Sequence, residues 1–362
     1  MEEEFSNHSN NESFEEVLNS YMSRRQMIVG GLAGAALSFM GGSKVSALTS
    51  NAPQAAAAAK KAKIGFTSIP LQLGAMPTIA PEYDYSVLIP WREKLDGSGK
   101  SFDYAGFTAE DQAKSIGIGH DGISYFGDNK KGMLCINHEY GTTPHLMGKA
   151  VPASIDDVKL SQTAHGVSVV MIENTKTGWK MVKSAKNRRI HGNTAVKFSG
   201  PAAKSEMLVN PAGNPMQGTL NNCANGETPW GTYLTCEENF NGYFGTNDKA
   251  WKPNTDQARY GLSAAGFGYE WHKFDARFDL SNAGYVNEIN RFGWVVEIDP
   301  NNPKQVPVKR TALGRIKHEG ATVVEGKDGR AVVYMGDDER FEYIYKFVSA
   351  RSWKRMRSEG VS

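Results

Sequence analysis

Val333-Tyr-Met-Gly-Asp-Asp-Glu-Arg-Phe341 passes from an apolar run through an acidic turn to an aromatic residue. Leu134-Cys-Ile-Asn-His-Glu-Tyr-Gly141 and Leu234-Thr-Cys-Glu-Glu-Asn-Phe240 echo it. Short β-branched and aromatic runs that stop at Gly, Asn or Asp read as strands. Working outward, the same reading covers residues 86–90, 132–137, 166–172, 179–182, 232–236, 293–299 and 330–336. Several of these runs are apolar at nearly every position, as in strands buried on both faces. One short helix is expected over Thr108–Lys114, where Thr108 caps and Asp111 stands three positions on. Strands separated by long irregular loops imply an all-β chain with few short helices, arranged as a β-propeller whose loops at one end carry the chemistry. The echoes are spaced too irregularly to form a repeat at the level of sequence.

The composition agrees with this class. Thirty-eight glycines and 15 prolines punctuate a chain of 362 residues, which is long enough for one large core or two smaller ones. The 41 basic and 39 acidic residues are mixed along the chain and leave a formal charge of +2. Neither nucleic acid nor a membrane surface is therefore the expected partner, and a small substrate is. Ser23-Arg-Arg-Gln-Met-Ile-Val29 sets twin arginines before a Gly/Ala-rich apolar stretch, and Val45-Ser-Ala47 follows as a cleavage site. Residues 1–47 thus read as a twin-arginine signal, too short in its apolar part for a stable membrane span. That implies the twin-arginine export machinery as a partner and a periplasmic or secreted destination. Residues 48–63 read as an Ala/Lys-rich linker, 64–349 as the propeller domain, and 350–362 as a polar tail that ends before any strand closes a ring. A ring left open would expose sheet edges, so the chain is expected to be C-terminally truncated.

Four acidic clusters lie at the ends of apolar runs: Asn137-His-Glu-Tyr-Gly141, Cys236-Glu-Glu-Asn239, Lys317-His-Glu-Gly320 and Asp337-Asp-Glu-Arg340. Any one of them alone is best read as a solvated turn. Adjacent carboxylates that are partly buried repel, however, and a recurring pattern of them calls for a compensating cation. Glu139, Glu237, Glu238, Glu319, Asp337, Asp338 and Glu342 offer the oxygens that a hard ion such as Ca2+ takes in sixes to eights. No EF-hand, zincin or phosphate-loop pattern occurs, so such a site has to be assembled from distant segments. Cys223, in the polar turn Asn221-Asn-Cys-Ala-Asn-Gly226, adds a thiolate suited to iron or zinc. Cys135 and Cys236 lie inside apolar runs and read as core residues, with a disulfide between them as the alternative. His138 and His318 each precede a Glu and point the other way on a strand, which makes them supporting or structural residues. Arg340 and Asn193 offer donors to an anion; a salt bridge from Arg340 to Asp337 or Asp338 is the competing reading.

Taken together, the motifs from His120-Asp-Gly through Asn137-His-Glu-Tyr, Arg189-Ile-His-Gly-Asn-Thr, Asn221-Asn-Cys-Ala-Asn-Gly, Thr235-Cys-Glu-Glu-Asn and Lys317-His-Glu-Gly to Gly336-Asp-Asp-Glu-Arg-Phe resemble the PhoX-type alkaline phosphatases, secreted calcium- and iron-dependent enzymes. The resemblance implies a six-bladed propeller, incomplete here, and a phosphomonoester hydrolase with Ca2+ and Fe3+ joined by an oxo bridge, using a metal-bound oxo or hydroxide nucleophile. It further implies Cys223, Glu319 and Glu342 on the iron side and Glu139, Glu237, Glu238, Asp337 and Asp338 on the calcium side or bridging. Arg340 and Asn193 then contact the phosphate of a small phosphomonoester, and the molecule is expected to be a monomer. Two other readings remain at this point: a calcium-stabilised propeller fragment without catalysis, and a propeller hydrolase that uses calcium alone.

Overall fold

The computed structural model describes residues 67–74, 76–99 and 106–360. The expected export signal and linker lie outside them. Residues 1–86 and 87–362 form two separate units. The described part of the first unit carries no helix or strand, and its Glu82 carboxylate accepts hydrogen bonds from Thr67.

The second unit holds three mainly antiparallel sheets in chain order. The first joins β1 (His120–Gly127), β2 (Lys131–His138), β3 (Gly166–Thr175) and β4 (Gly178–Met181), with β5 (Arg188–Ile190) also paired to β3. The second has the order β6 (Lys197–Ser199), β10 (Val308–Arg310), β9 (Val295–Ile298), β8 (Tyr233–Glu237), β7 (Asn222–Glu227); only the β6–β10 pair is parallel. The third is β11 (Thr322–Glu325), β12 (Arg330–Gly336) and β13 (Ile344–Ser352).

The near-continuous apolar runs arise because the sheets stack. Met133 and Cys135 of β2 and Val167 and Val169 of β3 point toward Tyr233 and Ile298 of the second sheet. Their neighbours Leu134, Ile136, Val170 and Ile172 point the other way, onto Ile89 and Ile116. The second and third sheets meet through Leu234, Cys236 and Val295 on one side and Val333 and Met335 on the other. Alternation with period two therefore fills both faces of a strand. Cys135 and Cys236 are fully buried in different clusters, and all three cysteines are free, so no disulfide joins them.

The expected helix is α1 (Ala109–Ala113), with Thr108 and Asp111 forming a reciprocal cap. Four further helices went unread: α2 (Thr143–Met147), α3 (Ile155–Ala164), α4 (Thr255–Arg259) and α5 (Trp353–Ser358). Two of these correct the sequence reading most: α3 is ten residues long behind its Ser154 cap, and α5, together with the end of β13, gives secondary structure to residues 350–358 of the expected polar tail. Residues 86–90 form no strand, consistent with Pro90 having no N–H for a ladder. Between β8 and β9 runs an irregular segment whose Phe240, Tyr243, Phe244, Trp271, Phe278 and Phe292 pack into a cluster of their own.

Candidate metal centre

The starts of β1, β7 and the segment leading into β11 lie at one end of the sheets, beside the ends of β2, β8 and β12. Close approach of these strands depends on small residues: a Cβ on Gly226 would lie 1.9 Å from the Ala321 carbonyl oxygen, and one on Gly122 would lie 2.8 Å from that of Cys223. Side-chain amides then lock the strands in place. Asn137, fully buried at the end of β2, donates to the Cys223 and Ala224 carbonyls at 2.5 and 3.1 Å. Its oxygen accepts from the Tyr233 and Thr235 hydroxyls, both at 2.8 Å. Asn222 donates to Thr235 Oγ1 at 2.8 Å and Asn225 to Ser124 Oγ at 2.6 Å. The Asn-rich turn is thus what fixes Cys223, and it explains the polarity around this thiol.

Two groups of ligand atoms meet at Cys223: Asp121, Glu139 and Cys223 form one, and Cys223, Glu238 and Glu319 the other, each with its atoms within 4.8 Å of one another. The thiol lies 3.4 Å from Asp121 Oδ2 and 3.5 Å from Glu319 Oε1. Asp338 joins the second group through a hydrogen bond with Glu238. Burial, with a hydrogen bond and charge from Asp121, lifts Glu139 to about 7. Burial and the charges of Glu319, Asp338 and Glu139 lift Glu238 to about 8. Glu319 is raised by burial and by Asp338 and Asp121, although its bond from Cys223 works the other way. Burial first, and the surrounding carboxylates second, push the Cys223 thiol up as well. These groups raise one another, which is the electrostatic signature of a pocket that multivalent cations would relieve. Five carboxyls and one sulfur, drawn from different segments, match the donor chemistry of a mixed site for hard and thiophilic ions.

Of the residues expected at a metal, the structure gathers Cys223, Glu139, Glu238, Glu319 and Asp338, and it does not gather the others. Glu237 is fully buried and points away, accepting from Lys309 Nζ at 2.7 Å and from the Gly293 and Trp294 N–H groups at 3.0 and 3.1 Å. Its charge is thus balanced within the fold, away from the Cys223 thiol. Asp337 and Glu342 are held together by Arg259, at 3.2 and 2.9 Å. Asn193 donates to Gln162 Oε1 at 2.8 Å and accepts from Arg277 at 2.9 Å, so both ends of its amide are engaged in a structural network. Arg340 is exposed on the loop after β12, and Arg259 is a salt-bridge partner of Asp337. His138 and His318 are buried and structural, bonded to Ser168 Oγ at 2.6 Å and to the Gly314 carbonyl at 3.1 Å.

Two residues escaped the sequence reading. Asp121 belongs to His120-Asp121-Gly122, the same histidine–acid pair as His138-Glu139 and His318-Glu319, and that shared pattern was the available signal. Arg259 lies in α4 with no local motif to mark it.

A family model described as alkaline phosphatase PhoX matches residues 64–361. Among solved structures, that of Pseudomonas fluorescens PhoX in complex with vanadate, a transition state analogue, is similar, with 45% identity and a TM-score of 0.77. The match covers 82% of this chain and 53% of that one, so this chain spans about half the length of that protein. No curated protein matches the chain.

Proposed function

The chain belongs to the alkaline phosphatase PhoX family, and from that membership we propose that it hydrolyses small phosphomonoesters at a polynuclear cation centre on Cys223 and the carboxylates around it. The observation that carries this reading is the meeting of the two acidic groups on one thiol. Cys223, with Asp121 and Glu319 nearest its sulfur, would hold iron; Glu139, Glu238 and Asp338 supply oxygens suited to calcium. Such ions, when bound, neutralise phosphoryl oxygens and make water acidic enough to attack near neutral pH. The chain's own task is to keep mutually repelling carboxylates in place, which the Asn137, Asn222 and Asn225 amides do from behind. Arg340, on an exposed loop two residues from Asp338, is the group we assign to the substrate phosphate, where an arginine fork strengthens its contacts as charge spreads over the oxygens. The stacking of the three sheets supports a propeller in which β1, β7 and the β11 approach are the inner strands.

The test pairs elemental analysis with hydrolysis of a chromogenic phosphomonoester. Iron together with calcium, and activity abolished by chelation, is the expected result; calcium alone with full activity in Cys223→Ser would overturn the thiolate assignment. We also read residues 1–47 as directing the folded chain to the periplasm or beyond. Replacing Arg24 and Arg25 by Lys should keep it in the cytoplasm, and unchanged export in cell fractionation would contradict that reading.

A further inference from the structure

We propose that the second and third sheets flank a partly open binding site for a neutral monocyclic aromatic molecule, at the end of the strands opposite the acidic centre. The cavity there has a volume of about 160 Å3 and is walled by Leu234, Val323, Val333 and Phe347 from the sheets and by Trp353 and Met356 from α5. Its position follows from β8. Glu238, just past the end of that strand, faces the acidic centre, whereas Leu234, near its start, faces the cavity. Four residues of extended chain span roughly 13 Å, so the two sites are separate.

The polar groups at the cavity's margin decide what it holds. Glu297 accepts from Trp230 Nε1 at 2.7 Å, Thr232 Oγ1 at 2.6 Å and Arg310 Nε at 2.7 Å, so both carboxylate oxygens are engaged. Ser349 Oγ accepts from the Ala331 N–H at 2.9 Å and donates to the Arg351 carbonyl at 2.8 Å. Water gains few partners against apolar walls, and a space of this volume is the size that admits benzene. Thr228 and Arg310 are likewise engaged, and the Arg357 guanidinium lies over the Trp230 ring at 5.8 Å, so the walls that remain are apolar and favour an apolar guest of that size. α5 forms the outer wall: Trp353 lies 5.5 Å from the Trp230 ring and is fixed by its indole N–H to Glu325 at 2.8 Å. Met356 beside it offers an unbranched thioether that adapts to the shape of the guest.

The test titrates toluene into the full chain and follows the melting midpoint, with benzoate, of similar size but charged, in parallel. Toluene should raise the midpoint saturably by roughly a few degrees, and benzoate should not. Val333→Phe places a ring in the cavity and should abolish the shift; Ala331→Val, a smaller intrusion, serves if that variant does not fold. Metal content is measured alongside and should be unchanged in both. No saturable shift in the wild-type chain, an equal shift with benzoate, or a shift retained in the filled variants would each overturn the proposal.

Discussion

Glu238 allows the need for cations to be tested by the sign of a stability change. Its carboxyl is 2% exposed and stands among Glu319, Asp338 and Glu139, which with burial raise it from 4.5 to about 8. A group raised on folding contributes stability that is complete below its unfolded value of 4.5 and is lost as pH climbs through the folded value. In the metal-free protein the loss at this one residue between pH 6 and pH 9 comes to about 2–3 kcal/mol, at 1.36 kcal/mol per unit. The window also lies mostly above the range in which buried histidines take up protons. Glu238→Gln cannot ionise, so the chelated variant should gain on chelated wild type by that amount across the window, or roughly 5 °C in midpoint. With the proposed iron and calcium added the order should reverse, because the variant lacks a charge that would hold a cation. Urea melts of both proteins at the two pH values, with chelator and with metals, supply the four comparisons. Parallel pH profiles for the two chelated proteins would refute the reasoning, since Glu238 would then feel no repulsion for a cation to relieve.

Lys309→Met leaves the Glu237 carboxylate buried with only two backbone N–H donors and should cost about 3–5 kcal/mol in denaturant melts; Glu237→Gln should keep its full iron and calcium content by elemental analysis, and a loss of either metal would return Glu237 to the ligand set. His165 and His318 are fully buried and held neutral, each lowered to about 4 chiefly by burial. Their contribution is intact above pH 6.5 and drains away as pH falls toward 4, by up to about 3 kcal/mol each, so a fluorescence-monitored acid titration should show unfolding in that window, and a chain still folded below pH 4 with unchanged urea midpoint would contradict it.

Much of the fold was legible because strand burial writes itself into composition. The runs at 132–137, 166–172 and 232–236 are apolar on both alternations, and each is a strand whose two faces enter different clusters, whereas 330–336 buries one face through Val333 and Met335 and leaves Tyr334 exposed on the other. What was not legible was held by tertiary contacts. α3 has hardly any amphipathic stripe, since Ser161, Gln162 and Thr163 are buried along with Val158 and Leu160, so periodicity alone could not reveal it. The segment from Phe240 to Phe292 forms an aromatic cluster without a repeating period, and α4 carries Arg259 to Asp337 across 78 positions of sequence.

The candidate site divides along one physical rule. Neighbouring side chains on an extended strand face opposite ways, so an acidic doublet at a strand end cannot send both members into one pocket. Applied to His138-Glu139 and His318-Glu319, the rule separates a histidine bonded within the fold from a carboxylate that faces the acidic cluster, and it places Asp121 opposite His120, whose ring reaches the Ile89 carbonyl at 2.9 Å. The doublets obey it equally. Glu238 joins the centre while Glu237 turns to Lys309, and Asp338 joins Glu238 while Asp337 turns to Arg259. Each doublet therefore holds one charge neutralised by a fixed side-chain cation and one that faces the acidic cluster. The neutralised member anchors the strand end, through Gly293 and Trp294 for Glu237 and through the Lys317 N–H for Asp337. That anchoring is what allows its neighbour to be held in a position that, without a bound cation, its own charge opposes.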